Sequence, residues 1–198
     1  MSKTNLQTLD TIQPMEQKKK SSDPAQAQYE EGKELLEKKE LAQAALALHN
    51  ALLAFEETGN QNGVANASNQ LGHVCLQRLE YAKALQHYLR AWEICEKQDD
   101  SMSLMALSNQ LITVYQGLKQ YPEAVKVCLD LLDTYNRNNN PKGAVETLEK
   151  MVAVYLDAGE TAKAVDGYRT IASIHSRYKH KNIAEQYLEK AQALEEAV

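Results

Sequence analysis

The residues of this chain best equipped for chemistry are five histidines, three cysteines and a few paired carboxylates. His49, His73, His87, His175 and His180 follow one another at no spacing that sets two imidazoles on one helix face as metal ligands. No metal site is therefore expected. The cysteines, Cys75, Cys95 and Cys128, are odd in number and lack paired spacing, which fits neither a disulfide framework nor a zinc site. Glu30-Glu31, Glu56-Glu57 and Glu195-Glu196 read as solvated helix faces near helix ends. Catalysis needs a nucleophile or an acid–base pair held together in a pocket, and phosphate chemistry needs a glycine-rich loop. Neither pattern is present, so the chain reads as non-enzymatic, with no catalytic residue and no cofactor.

The elements that would position any such residue recur at a fixed step. Counting in forties, Ala84 falls on Ala44, Ala124 and Ala164; Leu71 on Leu111 and Met151; and Tyr88 on Leu48, Cys128 and Tyr168. A period of this size marks a stacked helical repeat. The cysteines obey it. Cys75 shares its column with Leu35, Tyr115 and Tyr155, and Cys95 shares its own with Phe55, Tyr135 and His175, so both read as small buried apolar residues. Unpaired buried thiols imply a reducing compartment, and cytoplasmic localisation is expected.

Composition narrows the partners. A net charge of −5 over 198 residues argues against nucleic acid or an anionic membrane surface, which need a clustered positive field. No apolar run approaches a membrane span or a signal-peptide core. Residues 1–23 are polar, carry Lys18-Lys19-Lys20, and read as a disordered leader, although Leu6, Leu9 and Ile12 have helical spacing.

Structure is expected to begin at Asp23-Pro24, where the carboxylate caps the first turn and proline suits the first helical position. Helix pairs follow in repeats of about 24–63, 64–103, 104–143 and 144–183, closed by a capping helix over 181–198. Gly59-Asn60 and Asn62-Gly63 are expected to supply a turn, with the next helix opening at Val64. The identical small residues at Ala44, Ala84, Ala124 and Ala164 imply close helix approach, where a larger side chain would cost about 1–3 kcal/mol. Gly32 and Gly72 share a column that Ile112 and Val152 fill later, which implies wider separation in the second half.

Leu71-Gly72, Tyr81, Ala84, Tyr88 and Ala91 resemble the tetratricopeptide repeat (TPR) pattern of leucine-glycine, aromatic, alanine, aromatic and alanine. The forty-residue period is similar to the long-repeat subclass of that family. The first and third repeats match less fully, with Glu31 replacing the leucine and Cys128 the aromatic. The resemblance covers about 24–198 and implies an all-α, TPR-like fold: a right-handed superhelical solenoid of antiparallel helix pairs with a C-terminal capping helix. It also implies a concave groove lined by the first helix of each pair, and hence peptide-binding positions at Tyr29, Lys33, Asn69, His73, Gln77, Asn109, Thr113, Gln116, Glu146 and Glu149. An amide donates and accepts, so Asn69 and Asn109, forty apart, suit the backbone of an extended peptide. Lys33 is the one base among these positions and the fourth repeat supplies Glu146, Glu149 and Asp157. The expected ligand is therefore a neutral to basic segment of a partner protein. Two functional readings stand: an adaptor holding a partner's peptide or helix in the groove, and a self-associating structural scaffold, so that a homo-oligomer is possible.

Overall fold

The structure, a computed structural model, describes residues 23–197. Apart from Asp23, the expected leader lies outside the described residues. Those residues form nine α-helices and no strand: α1 Pro24–Glu37, α2 Leu41–Glu57, α3 Gln61–Gln77, α4 Tyr81–Lys97, α5 Ser101–Gly117, α6 Tyr121–Arg137, α7 Pro141–Asp157, α8 Thr161–Arg177 and α9 Lys181–Glu196. Each helix packs on the next, and α1 also touches α3 as α5 touches α7. The odd-numbered helices thus form the inner layer and the even-numbered ones the outer layer of a helical-repeat solenoid, and α9 covers the end of α8.

The turns recur every twenty residues. Lys39, Gly59, Leu79, Asp99, Lys119, Asn139, Gly159 and Lys179 all have positive φ, between 49° and 75°. The following amide closes each turn onto a carbonyl five residues back, as in Glu40 to Leu35 and Asn60 to Phe55, both 2.9 Å. This is the Schellman ending of a helix, and it lets a three-residue link reverse the chain. Six of the eight left-handed positions carry a side chain, at about 1–2 kcal/mol each, whereas glycine would lose only about 0.5–1 kcal/mol of chain entropy. Leu79 is 68% exposed and its side chain contributes little packing. Leu79→Gly is therefore expected to raise stability by about 0.5–1 kcal/mol, read as a higher urea midpoint. A lowered midpoint would contradict this account of the turn.

Asp23, Asn60, Asp100 and Asn140 cap α1, α3, α5 and α7, each accepting a backbone N–H in the first turn at 2.9–3.1 Å. One expectation fails here. Asn62 and Gly63 do not form a turn: α3 starts at Gln61, and both residues lie in its first helical turn. Gly63 is there because the Phe55 ring occupies the place of a side chain, and a Cβ would stand 2.4 Å from that ring.

The core divides into three successive clusters, linked where Ile94 and Tyr115 each touch two of them. Ala44, Ala84, Ala124 and Ala164 are fully buried, as their identity in sequence implied. The first two helix pairs are in closer backbone contact than the α5/α6 and α7/α8 pairs, as the loss of glycine at Ile112 and Val152 implied. Size is exchanged across each pair. Gly32 faces Leu48 and Gly72 faces Tyr88, with a new Cβ 2.6 Å from either side chain. In the third pair Ile112 fills the glycine column and Cys128 the aromatic one, both buried in one cluster. In the fourth, Val152 packs on Gly167, and the neighbouring Tyr168 ring lies 6.0 Å from that of Tyr187 on α9. Cys75, Cys95 and Cys128 are buried free thiols. Burial pushes all three thiols up, Cys128 to about 12.

Candidate functional site

The inner layer carries every peptide-binding position expected from the sequence, since Tyr29 and Lys33 lie on α1, Asn69, His73 and Gln77 on α3, Asn109, Thr113 and Gln116 on α5, and Glu146 and Glu149 on α7. Helical spacing of three to four residues sets each group along one face. What the side chains do on that face differs from repeat to repeat.

On α1, the Tyr29 ring meets Phe55 edge-on at 6.3 Å, and the Lys33 ammonium sits 5.5 Å from its centroid. Burial raises the pKa of the Tyr29 hydroxyl, and a hydrogen bond with Gln70 on α3 partly offsets this. On α3, His73 Nδ1 lies 3.0 Å from the hydroxyl of the buried Tyr88. Burial lowers the pKa of His73 and raises that of Tyr88, so the phenol donates and the neutral imidazole accepts at Nδ1. Its remaining proton then sits on Nε2. Gln77 is exposed, as is Thr113 on α5.

The two asparagines of the shared column have opposite fates. Asn109 donates from Nδ2 to the Met105 carbonyl at 3.0 Å and accepts at Oδ1 from Lys150 Nζ at 2.5 Å. Asn69 Oδ1 is buried without a partner, as is the neighbouring Ser68 Oγ. Further along, Gln116 donates to Asp157 at 2.5 Å, Glu146 lies 3.8 Å from Lys142, and Glu149 accepts from the Tyr187 hydroxyl of α9.

A rule emerges for the inner layer. Side chains forty-one residues apart, one helix to the next odd-numbered one, join at Tyr29 and Gln70, at Asn109 and Lys150, and at Gln116 and Asp157. These bonds act as rungs between adjacent repeats. The rung from Asn69 would reach Gln110, and it is not made. Sequence columns at a step of forty missed Gln70 and Lys150 because each stands one position beyond its column. A search at forty-one would have found both. Lys150 adds a positive charge beside Glu146 in the fourth repeat, and burial lowers its pKa.

Among the described residues no group of three or more His, Cys, Asp or Glu side chains is placed to hold a metal ion, and no helix is long and apolar enough to cross a membrane.

Helix pairs stacked in register, with the odd helices inside, define a TPR-type helical-repeat scaffold. Solved structures that share that fold include the following two. The apo form of RapI superposes with a TM-score of 0.65 at 13% identity, over 88% of this chain and 54% of RapI. This chain thus spans about half the length of RapI. The nearly identical TPR-like repeats of a candidate kinesin light chain from Podosopora anserina give a TM-score of 0.50 at 17% identity, over 88% of this chain and 97% of that one. No curated protein matches the sequence. The family model of SNAP, soluble NSF attachment protein, matches residues 9–139. The chain belongs to the SNAP family.

Proposed function

We propose that this protein is a non-catalytic adaptor that holds a peptide or helix of a partner protein against the inner layer of α1, α3, α5 and α7. The observation that carries the reading is the open rung at Asn69. Its buried Oδ1 has no partner, while the rungs before and after it are closed. Leaving a buried acceptor unmade costs about 1–3 kcal/mol, and a ligand N–H would recover it once the Asn69 side chain turns its Oδ1, closed to solvent in this structure, toward the groove. The exposed Gln77 and Thr113 and the His73 Nε2 proton flank this gap with further polar groups. The carboxylates of Glu146, Glu149 and Asp157 favour a neutral to basic segment, with Lys150 tempering that preference. The family is named for attachment to NSF, which makes NSF the first partner to test. The three unpaired cysteines suit a reducing compartment such as the cytoplasm.

Asn69→Ala removes a buried group that bonds to nothing, so stability should stay unchanged or rise slightly. Partner binding should fall by about tenfold or more, the equivalent of one lost hydrogen bond to a buried group. Quantitative capture of NSF and of a peptide library, wild type against Asn69→Ala, reads this directly. Equal binding by both proteins would remove the groove from the function.

A self-associating scaffold is the second reading, favoured by Leu46 and Leu53 on α2 and Leu129 on α6, which are 64%, 44% and 53% exposed. Sedimentation across a concentration series separates the two: assembly must appear for the second, and is not required for the first.

A further inference from the structure

The turn between α8 and α9 brings His175 and His180 together, with their Nδ1 atoms 3.3 Å apart. Spacing along the sequence does not show this, because residues five apart diverge on a helix. Here Lys179 adopts φ 63° and the His180 amide donates to the His175 carbonyl at 2.9 Å, so the two residues face each other across the link. Both rings are braced. His175 stacks on Tyr187, 5.7 Å away with 7° between the planes, and Tyr187 in turn donates its hydroxyl to Glu149. Tyr178 stacks 6.5 Å from His180.

Two nitrogens bound to one tetrahedral ion at about 2.0–2.1 Å lie roughly 3.3 Å apart. The Nδ1 atoms already hold that separation. We propose that His175 and His180 form a two-imidazole site for a borderline divalent transition ion, of which Zn2+ is the representative, with water completing the coordination. Imidazole nitrogens select this class over Mg2+ and Ca2+, which prefer oxygen ligands. In the metal-free pair one Nδ1 donates its proton to the other. On binding, that proton moves to Nε2 of the same ring, and both neutral rings offer an Nδ1 lone pair to the ion. The ion would then clip the last turn of α8 to the first residue before α9.

The other histidines serve as internal controls. His73 Nδ1 is engaged by Tyr88, and His49 and His87 are electrostatic neighbours without a hydrogen bond between them. The test is calorimetric titration of the full chain with Zn2+ at pH 7.5, beside His175→Gln, His180→Gln and His49→Gln. One ion per chain is expected for wild type and His49→Gln, with saturable binding lost in the other two and Mg2+ giving none. His180 makes no side-chain capping bond to α9, so His180→Gln should keep the native helicity. If either variant fails to fold, imidazole resonances of the wild type decide, and those of His175 and His180 alone should move as Zn2+ is added. Absence of saturable binding, equal binding by both pair variants, or movement of other histidines would overturn the proposal.

Discussion

Tyr88→Ala is expected to cost about 3–5 kcal/mol, the range for emptying a buried aromatic site. Tyr88 is fully buried and heads the largest side chains of the interior. Its ring lies against Gly72 and its hydroxyl bonds to His73. Gly72 cannot fill the cavity, since it has no side chain to advance. Against the usual domain stability of about 5–15 kcal/mol, the loss is roughly a fifth or more of the total. In a solenoid, stability is close to a sum over neighbouring repeats, so damage in the second repeat also weakens coupling between α1–α2 and the rest. Urea unfolding followed by far-UV circular dichroism should therefore show a large drop in midpoint and a broader transition. Tyr88→Phe isolates the hydroxyl, at about 0.5–1.5 kcal/mol. An Ala variant as stable as wild type would show that the ring is not part of the packed interior.

A double substitution tests the exchange of size between columns. Gly72→Ile alone drives a branched side chain into the Tyr88 ring, because even a Cβ would sit 2.6 Å from it, and overpacking of this kind costs about 1–3 kcal/mol. Tyr88→Cys alone leaves a cavity, at about 3–5 kcal/mol by analogy with aromatic truncation. Together they install the pair that the third repeat carries as Ile112 and Cys128. Residues in contact couple by about 0.5–3 kcal/mol, and here the coupling should be favourable, so the double variant should be more stable than the sum of the singles. Denaturation of the four proteins of this cycle measures it. Strict additivity would mean that the two columns do not share one space.

The helices were legible because burial and backbone geometry repeat with the chain. Ala44, Ala84, Ala124 and Ala164 announced a buried column, and Asp23 announced a helix start beside proline. Gly63 follows Asn62 in a pair that is a local turn signal, while the cause of the glycine is the Phe55 ring packed from the preceding helix. No local pattern contains that ring. The same holds for the inner layer. Tyr29, Asn69, Asn109 and Glu149 form one column in sequence, yet they end with Gln70, no partner, Lys150 and Tyr187 respectively.

By itself the sequence determined the repeat, the order of helices and the buried columns, because each follows from periods of 3.6 and forty that the chain displays. Only the tertiary structure decided which inward-facing groups are spent on one another and which stay open. The difference between Asn69 and Asn109 lies in the reach and charge of a residue one helix pair away, Gln110 against Lys150. The meeting of His175 and His180 lies in a left-handed turn at Lys179. Distances of about 3 Å between side chains depend on how whole helices settle against each other, and that is a property of the packed stack rather than of the spacing along the chain.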